Sequence, residues 1–353
     1  MSQSSSPAPA PQPGGAPQHR RRPRYSGKYP RRFEDRYKEL NPERYPETRA
    51  KVIAAGKTPA GMHRSIMVRE ILEALAPAPG ETAVDCTLGY GGHAMELLNR
   101  LRPGGRLIGL DADPIELPKT EARLRGLGYG PDCFAAYRTN FAGLPQVLAA
   151  RQLTGVDVVL ADLGVSSMQL DDPARGFGFK QDGPLDMRLN PHRGCPASTL
   201  LAEASPAELS DWLTENADEP HAIRLADALA GREFPTTGAL RESVRRTLRS
   251  EADADASVRR VFQALRIAVN DEFSVLEALL RHIPGWLNRG GRVAILSFHS
   301  GEDRRIKKAF EAGLREGHYS AVASEVQRAS PTERHANPRS AAAKLRWARA
   351  PAT

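Results

Sequence analysis

The sequence contains few cysteines and no long apolar segment. Its 353 residues include only Cys86, Cys133 and Cys195, with no C-x-x-C pair. Neither a disulfide framework nor a zinc site is therefore indicated, and we expect no bound metal. No apolar run approaches the roughly 18 residues that a membrane span needs, and no signal-peptide pattern is found. We expect a soluble, cytoplasmic protein that does not use a membrane.

The excess of positive charge is confined to the N-terminal segment. Residues 1–57 hold 13 Lys and Arg against 5 Asp and Glu, whereas residues 58–353 hold 37 of each. Aromatic residues are interspersed among these charges: Tyr25, Tyr29, Phe33, Tyr37 and Tyr45. Such a composition is typical of arms that bind nucleic acid through phosphates and stacked bases, and equally of a solvated extension that aids solubility. We predict a basic, largely disordered extension over residues 1–57.

The remainder of the chain shows an α/β pattern. Apolar strand-like segments at residues 83–86, 106–110 and 156–161 alternate with helical spacing, as at 94–101. This alternation predicts a parallel sheet covered by helices on both faces. The length of the chain favours one such core with an insertion or an appended piece.

Helical signals replace this alternation between residues 196 and 283. Ser205 and Glu208 form a capping-box pattern, and apolar residues recur at helical spacing in the sequence that contains Val258, Val261, Phe262, Leu265 and Val269. Strand character returns at residues 288–298. We therefore predict a core made of residues 58–195 and 284–353, interrupted by a helical insertion at 196–283.

A glycine-rich turn follows the first predicted strand, which ends at Asp85. Residues 89–94 fit the looser G-x-G-x-x-G/A pattern, and Asp111 follows Gly91 by 20 residues, where an acid can bind ribose hydroxyls. The pattern alone does not distinguish NAD from S-adenosylmethionine, nor exclude a turn without a ligand. Asp85 favours S-adenosylmethionine, because a carboxylate pairs with an ammonium group and repels a pyrophosphate.

Further motifs follow in a fixed order along the chain. They are DCTLGYGGH (85–93), DLGVSS (162–167), RGF (175–177), GPLDMR (183–188), FQALRIAVN (262–270), SFHS (297–300), and NPRS (337–340) with AKLR (343–346). In this order they resemble the bacterial 16S rRNA cytosine-N4 methyltransferases, the MraW or RsmH family, over roughly residues 63–347.

The resemblance implies a Rossmann-like S-adenosylmethionine-dependent methyltransferase core with an inserted helical domain. Its substrate would be a cytosine of 16S rRNA within the small ribosomal subunit, and a homodimer is left open. The resemblance assigns cofactor binding to Gly91, Gly92, His93, Asp111, Phe141, Asp162 and Gln169. By residue type alone, His93 could be a polar residue at a helix N-terminus, and Phe141 could be a core residue.

Methylation of the N4 amine calls for hydrogen-bond acceptors rather than a nucleophile. The amine must pyramidalise as the methyl group arrives, so acceptors and tight positioning should do most of the work. Methylation at C5 would need a cysteine, and none lies at the strand end that carries Asp162. Because Asp162 ends a core strand where α/β folds bind ligands, we infer a catalytic role for its carboxylate in addition to a cofactor contact.

Other polar residues near element ends are candidates for holding the flipped base and its phosphates. The predicted substrate-binding residues are Asp186, Arg188, Ser297 and His299. Arg266 and Asn270 could bind the base, or could form a polar network that supports the insertion.

The chain also departs from the family pattern. Cys86 stands where glycine is usual, Gly301 stands where leucine is usual, and Asp218-Glu219 lies near the family's Gly-Glu-Glu. The long N-terminal extension is also atypical. Three alternatives therefore stay open: a divergent paralogue that methylates a different RNA base, a non-catalytic RNA-binding assembly factor, and a nucleotide-dependent oxidoreductase. An oxidoreductase would have no need of a basic arm. A non-catalytic factor that kept only a relic of the cofactor fold would have lost a loop glycine or Asp111.

Overall fold

The computed structural model of the protein describes residues 65–248 and 250–353; the predicted extension at 1–57 lies outside them. The strands are β1 (Thr82–Asp85), β2 (Arg106–Asp111), β3 (Phe134–Arg138), β4 (Val156–Asp162), β5 (Leu287–Ser297), β6 (Ala321–Val322) and β7 (Lys344–Arg349). The helices are α1 (Val68–Leu75), α2 (Gly92–Leu101), α3 (Leu117–Gly126), α4 (Leu144–Ala150), α5 (Ser167–Asp171), α6 (Ala197–Glu203), α7 (Pro206–Ala217), α8 (Ala222–Leu229), α9 (Thr237–Thr247), α10 (Glu251–Asn270), α11 (Glu272–Trp286), α12 (Ser300–Arg315) and α13 (Pro331–Ala336). Short 3-10 helices span Phe141–Gly143, Pro173–Arg175 and Pro338–Ala342. None of the helices in the described ranges combines the length and the apolar character that crossing a membrane requires.

The seven strands form one sheet in the order β3-β2-β1-β4-β5-β7-β6. The first five are parallel to one another, and β7 pairs antiparallel with both β5 and β6. The order runs outward in opposite directions from β1 and β4, so a crevice opens between the carboxyl ends of these two strands, where open α/β sheets bind ligands. The observed architecture confirms the predicted Rossmann-like α/β core.

Alternate residues of the strands pack on opposite faces of the sheet. Helices α1, α2 and α3 cover one face, in a cluster that includes Ile71, Leu75, Leu97, Leu101, Leu107, Leu124, Val158 and Leu296. Helices α4, α11 and α12 cover the other, in a cluster that includes Ile108, Leu148, Val159, Leu276, Ile283, Ile295, Ile306 and Phe310. Because both faces are covered, each central strand is a continuous apolar run rather than an alternating one.

The predicted strands agree with the observed ones. Strands β1, β2, β4 and β5 lie within one residue of the predicted bounds. The start of β5 is irregular. Val156 pairs with Leu287 while Val158 pairs with Arg292, so the extra residues form a bulge in which Gly290 has a φ of 69°.

Helices α6 to α10 enclose a hydrophobic cluster of their own. Its members include Leu185, Leu201, Leu213, Leu225, Leu240, Val258 and Leu265. The predicted capping box at the start of α7 is confirmed, since the Ser205 side chain accepts from the Glu208 backbone and the Glu208 side chain accepts from the Ser205 backbone. Helix α11 instead packs against the sheet. The division into core and insertion at residues 196 and 283 stays a prediction.

Asp218 and Glu219 connect the helical region to its surroundings. Asp218 ends α7 with a φ of 49°, a conformation in which glycine is common. Its carboxylate accepts from Arg304 at 3.0 Å and from Ser300 at 2.8 Å, which links α7 to α12. The buried Glu219 accepts from Ser257 Oγ at 2.8 Å. This departure from the family pattern therefore has a structural role.

The glycine at position 301 makes room for an aromatic ring. A Cβ at Gly301 would lie 2.7 Å from Phe273 Cζ. We expect Gly301→Leu to lower the free energy of unfolding by about 1–3 kcal/mol through overpacking. Introduced into a Phe273→Ala background, the same change should cost much less, which urea denaturation of the four proteins of a double-mutant cycle would measure. Gly285→Leu is the control, because no atom beyond the adjacent residues and the backbone of its own helix lies within 4 Å of the added Cβ. Equal costs of Gly301→Leu in the two backgrounds would contradict this explanation.

Candidate active site

A cavity of about 1020 Å³ opens at the carboxyl ends of the central strands. Strands β1, β2 and β4 end in Asp85, Asp111 and Asp162, and all three aspartates line the cavity. Parallel strands end at the same edge of a sheet, which is why residues far apart in sequence meet here. The cavity is also lined by all seven residues predicted to bind the cofactor: Gly91, Gly92, His93, Asp111, Phe141, Asp162 and Gln169.

The glycine-rich turn between β1 and α2 packs against α3. Gly91 has a φ of 72°, and a Cβ there would lie 2.9 Å from Thr120 Cγ2. Thr120 Oγ1 donates a hydrogen bond of 2.6 Å to the Gly89 carbonyl. At Gly91 the requirement for glycine therefore comes from the turn and from close packing on α3, in addition to any approach of a ligand.

Asp85 is a buried carboxylate that organises the start of this turn. Its Oδ1 accepts from the Thr87 backbone at 3.0 Å, and Thr87 Oγ1 accepts from the Asp162 backbone at 2.6 Å. These bonds join the end of β1 to the end of β4. Burial raises the pKa of Asp85 to about 6, although the nearby His93 opposes the shift.

Asp111 holds the turn from the side of β2. Its Oδ2 accepts from the Gly89 backbone at 2.7 Å, and its Oδ1 accepts from the Asp113 backbone at 2.8 Å. Burial raises the pKa of Asp111 to about 6, against the opposing effect of these N–H donors. Two carboxylates with similarly raised pKa values therefore line one cavity.

His93 faces Asp162 across the crevice between α2 and β4. The distance from His93 Nε2 to Asp162 Oδ2 is 3.4 Å, longer than a well-formed hydrogen bond. Burial alone would lower the pKa of His93, but Asp162, Asp85 and Glu96 raise it, so that the net shift is upward. Within the described residues, His93 Nε2 is a buried nitrogen without a hydrogen-bond partner. A polar group of a ligand could satisfy it.

The two raised pKa values predict that binding of a cationic ligand depends on pH. Ionised Asp85 and Asp111 attract a cation and their protonated forms do not, so affinity should rise with pH through about 6. At pH 5 each carboxyl is only about one-tenth ionised, so affinity for S-adenosylmethionine should fall about 10-fold for each carboxylate that binding requires. Calorimetry between pH 5 and 7 would measure this. Asp111→Asn should make the dependence shallower, and a constant affinity over this range would contradict the assignment.

A buried residue that the sequence analysis did not single out connects these motifs. Asp113 is fully buried, and its Oδ2 accepts from Gln169 Nε2 and from Arg175 Nη1, each at 2.8 Å. Arg175 also donates to the carbonyls of Arg188 and Leu189, at 3.2 and 3.0 Å. Asp113 thereby ties the β2 end to α5 and to the segment after the GPLDMR motif. In the sequence, only its position two residues after Asp111 could have indicated that Asp113 belongs to the site.

The four residues predicted to bind substrate are not among the described residues that line the cavity. Asp186 and Arg188 pair with each other, through bonds of 2.8 and 2.7 Å. Ser297 is buried, 3.4 Å from the Lys344 carbonyl. His299 caps α12 by accepting from the Glu302 backbone. Substrate binding by these four residues stays a prediction.

Arg266 and Asn270 line the cavity and also form a polar network. Arg266 donates twice to Glu272, at 2.9 Å in each case. Asn270 accepts from the Leu189 backbone and donates to the Met187 carbonyl, each at 2.8 Å. The network holds the segment that leads to Asn190, His192 and Arg193, which line the cavity.

Cys86 also lines the cavity but is unsuited to act as a nucleophile. It is 2% exposed, and burial together with the neighbouring Asp85 raises the pKa of its thiol. The thiolate, which is the reactive form, is therefore disfavoured.

The fold and the cavity define a class of protein. A Rossmann-like sheet with a glycine-rich first turn and an acidic residue ending each of the first two strands is an enzyme core that binds a nucleotide-like cofactor. The chain matches the MraW methylase family over residues 60–350, and it belongs to that family. It is thus a methyltransferase of the S-adenosylmethionine-dependent class, as the sequence motifs predicted.

Individual relatives agree with this assignment. The chain is 49% identical over 339 residues to the ribosomal RNA small subunit methyltransferase H 2 of Alkaliphilus metalliredigens, covering 93% of this chain and 97% of that protein. It is 48% identical over 343 residues to methyltransferase H 1 of Lachnoclostridium phytofermentans, covering 94% and 93%. It is 42% identical over 302 residues to methyltransferase H of Myxococcus xanthus, covering 80% and 96%.

The first two matches extend into the N-terminal segment. Residues 58–353 make up less than 93% of the chain, so a match of that extent includes part of residues 1–57. Part of the extension therefore aligns with the relatives from Alkaliphilus metalliredigens and Lachnoclostridium phytofermentans.

Proposed function

We propose that this protein transfers a methyl group from S-adenosylmethionine to the N4 amine of a cytosine in small-subunit ribosomal RNA. The observation that carries the proposal is the cavity in which Asp85, Asp111 and Asp162 end three neighbouring strands. The names of the relatives supply the substrate class, since each is a ribosomal RNA small subunit methyltransferase.

The residues of the cavity fit the cofactor. Asp85 and Asp111 provide negative charge for a ligand that carries an ammonium and a sulfonium, and the buried His93 Nε2 can bond a polar group. The cavity of about 1020 Å³ is at the top of the usual range of ligand pockets, roughly 300–1,000 Å³, so it can hold a nucleoside cofactor and a base. S-adenosylmethionine supplies an electrophilic methyl group when bound.

Asp162 is the proposed acceptor for the target amine. Its backbone is fixed by Thr87 and its carboxylate is partly exposed to the cavity, with a side-chain exposure of 28%. Accepting a hydrogen bond from the amine would direct the nitrogen lone pair and stabilise the positive charge that develops on it. The buried thiol of Cys86 and the lack of any other described cysteine among the cavity residues favour N4 over C5.

The substrate is proposed to be 16S rRNA within the small subunit. Labelled S-adenosylmethionine should transfer methyl to small subunits, and nuclease digestion should yield N4-methylcytidine. Parallel reactions with naked 16S rRNA show which form is preferred. Label recovered as 5-methylcytidine, or in a base other than cytosine, would contradict the proposal.

A further inference from the structure

Part of the cavity is lined by residues other than those predicted to bind the cofactor. Sheet order puts β5 next to β4 and on the side away from β2 and β3. Asp162 ends β4, Phe298 directly follows β5, and both residues line the cavity. A base bound beside Asp162 would therefore lie near Phe298.

Phe298 is held firmly in this position. The Leu163 backbone donates to the Leu296 carbonyl at 2.9 Å, which continues the pairing of β4 and β5 to their ends. The Phe298 backbone donates to Oε2 of the buried Glu302, also at 2.9 Å. The side chain packs partly against the hydrophobic cluster of one sheet face, yet the residue is only half-buried. A fixed aromatic ring with remaining exposure is suited to receive a flat ligand.

The turn that follows Asp162 leaves space beside the Phe298 ring. Gly164 has a φ of 90°, and a Cβ added there would lie 3.8 Å from Phe298 Cδ2. The ring and the turn are therefore in close proximity, without a side chain of residue 164 between them.

The other aromatic rings of the cavity are placed differently. Among the described residues, Tyr90, Phe141 and Phe298 are the Phe, Tyr and Trp side chains that line it. The Arg123 guanidinium lies 3.9 Å from the centroid of the Tyr90 ring. Phe141 follows β3, the edge strand on the other side of β4 from β5. Tyr90 and Phe298 both follow strands next to β4, but Phe298 follows β5, on the side of β4 away from the glycine-rich turn.

We propose that Phe298 is the platform on which the target base stacks while Asp162 accepts from its amine. The inference rests on the proposed function and specifies how the base is held. Stacking on an aromatic ring tolerates any base, so Phe298 would supply affinity for the unstacked nucleotide, while the choice of cytosine would depend on polar groups.

Binding of single-stranded RNA tests this directly. Fluorescence anisotropy with the full chain, saturated with S-adenosylhomocysteine, compares oligocytidylate with an abasic oligoribonucleotide of equal length. The wild type should prefer oligocytidylate. Phe298→Met, which keeps an apolar side chain but removes the ring, should reduce that preference about 5- to 100-fold, and Phe298→Tyr should retain it. Taking the ratio of the two affinities cancels the contribution of phosphate contacts.

Phe141→Leu is the matched control. It should weaken cofactor binding in calorimetry and leave the preference for oligocytidylate unchanged. Phe298→Met should leave cofactor binding unchanged and reduce the preference for oligocytidylate. Thermal melting would confirm that both variants are folded. A wild type without any preference, or an unchanged preference in Phe298→Met, overturns the inference. The proposed function fails by a different result, namely that wild-type protein forms no N4-methylcytidine in small-subunit RNA.

Discussion

Replacing Asp162 by asparagine should lower kcat for methyl transfer about 100- to 1000-fold, the usual cost of removing a preorganised group from a developing charge. The amide keeps the shape of the side chain but removes the negative charge that would stabilise the methylated amine. This loss refers to the rate at saturating cofactor and RNA. The affinity for S-adenosylmethionine should change by less than about 5-fold. Single-turnover kinetics and calorimetry would measure the two quantities.

The same variant distinguishes catalysis from cofactor binding. If Asp162 only contacts the cofactor, Asp162→Asn should raise the cofactor Kd, while kcat at saturating cofactor stays near the wild-type value. Asp157→Asn is the control, because Asp157 lies at the other end of the same strand and accepts from the Thr82 backbone and from Asn288. Asp157→Asn should leave both kcat and the cofactor Kd near their wild-type values. A normal kcat in Asp162→Asn would remove the proposed catalytic role.

Replacing Asp113 by alanine should destabilise the protein by about 3–5 kcal/mol. Arg175 pairs with Asp113 at 2.8 Å, and the two side chains are 10% and 0% exposed. Loss of the carboxylate would leave a buried guanidinium without its counter-charge and the Gln169 amide without an acceptor. Urea denaturation would give the change in the free energy of unfolding.

An exposed ion pair provides the comparison for Asp113. Arg245 and Asp255 lie 2.7 Å apart, but their side chains are 46% and 49% exposed. Because solvent screens such pairs, Asp255→Ala should cost less than about 1 kcal/mol. Similar costs for the two alanine variants would show that Asp113 does not act as a buried connection.

Local sequence patterns predicted the elements that position the cofactor site. The apolar runs before Asp85, Asp111 and Asp162 identified three central strands, because burial on both faces demands continuous apolar residues. The capping box at Ser205 located the start of α7 for a similarly local reason, the satisfaction of free N–H groups. The same pattern at Ser166 and Gln169 marks the start of α5, and could have been found in the sequence.

Contacts between distant residues were not predictable in this way. Asp113 and Arg175 are 62 positions apart, and nothing in the spacing of either indicates the other. Asp186 and Arg188 stood out as polar residues after a turn, but in the structure they neutralise each other. The bulge in β5 depends on pairing with β4, so the sequence of β5 alone did not indicate it. Tertiary partners decided the first and third cases, whereas Asp186 and Arg188 form a local pair.

If the proposed function is right, this protein places one methyl group on the N4 amine of a small-subunit rRNA cytosine. Mass spectrometry of nuclease fragments of 16S rRNA, from cells with and without the protein, would detect this methyl group. We expect one cytosine-containing fragment to lose the mass of a methyl group in the absence of the protein. Expression of the wild type should restore the methyl group as N4-methylcytidine, and expression of Asp162→Asn should restore little of it. Identical 16S rRNA fragments from the two kinds of cell would show that the protein does not methylate 16S rRNA.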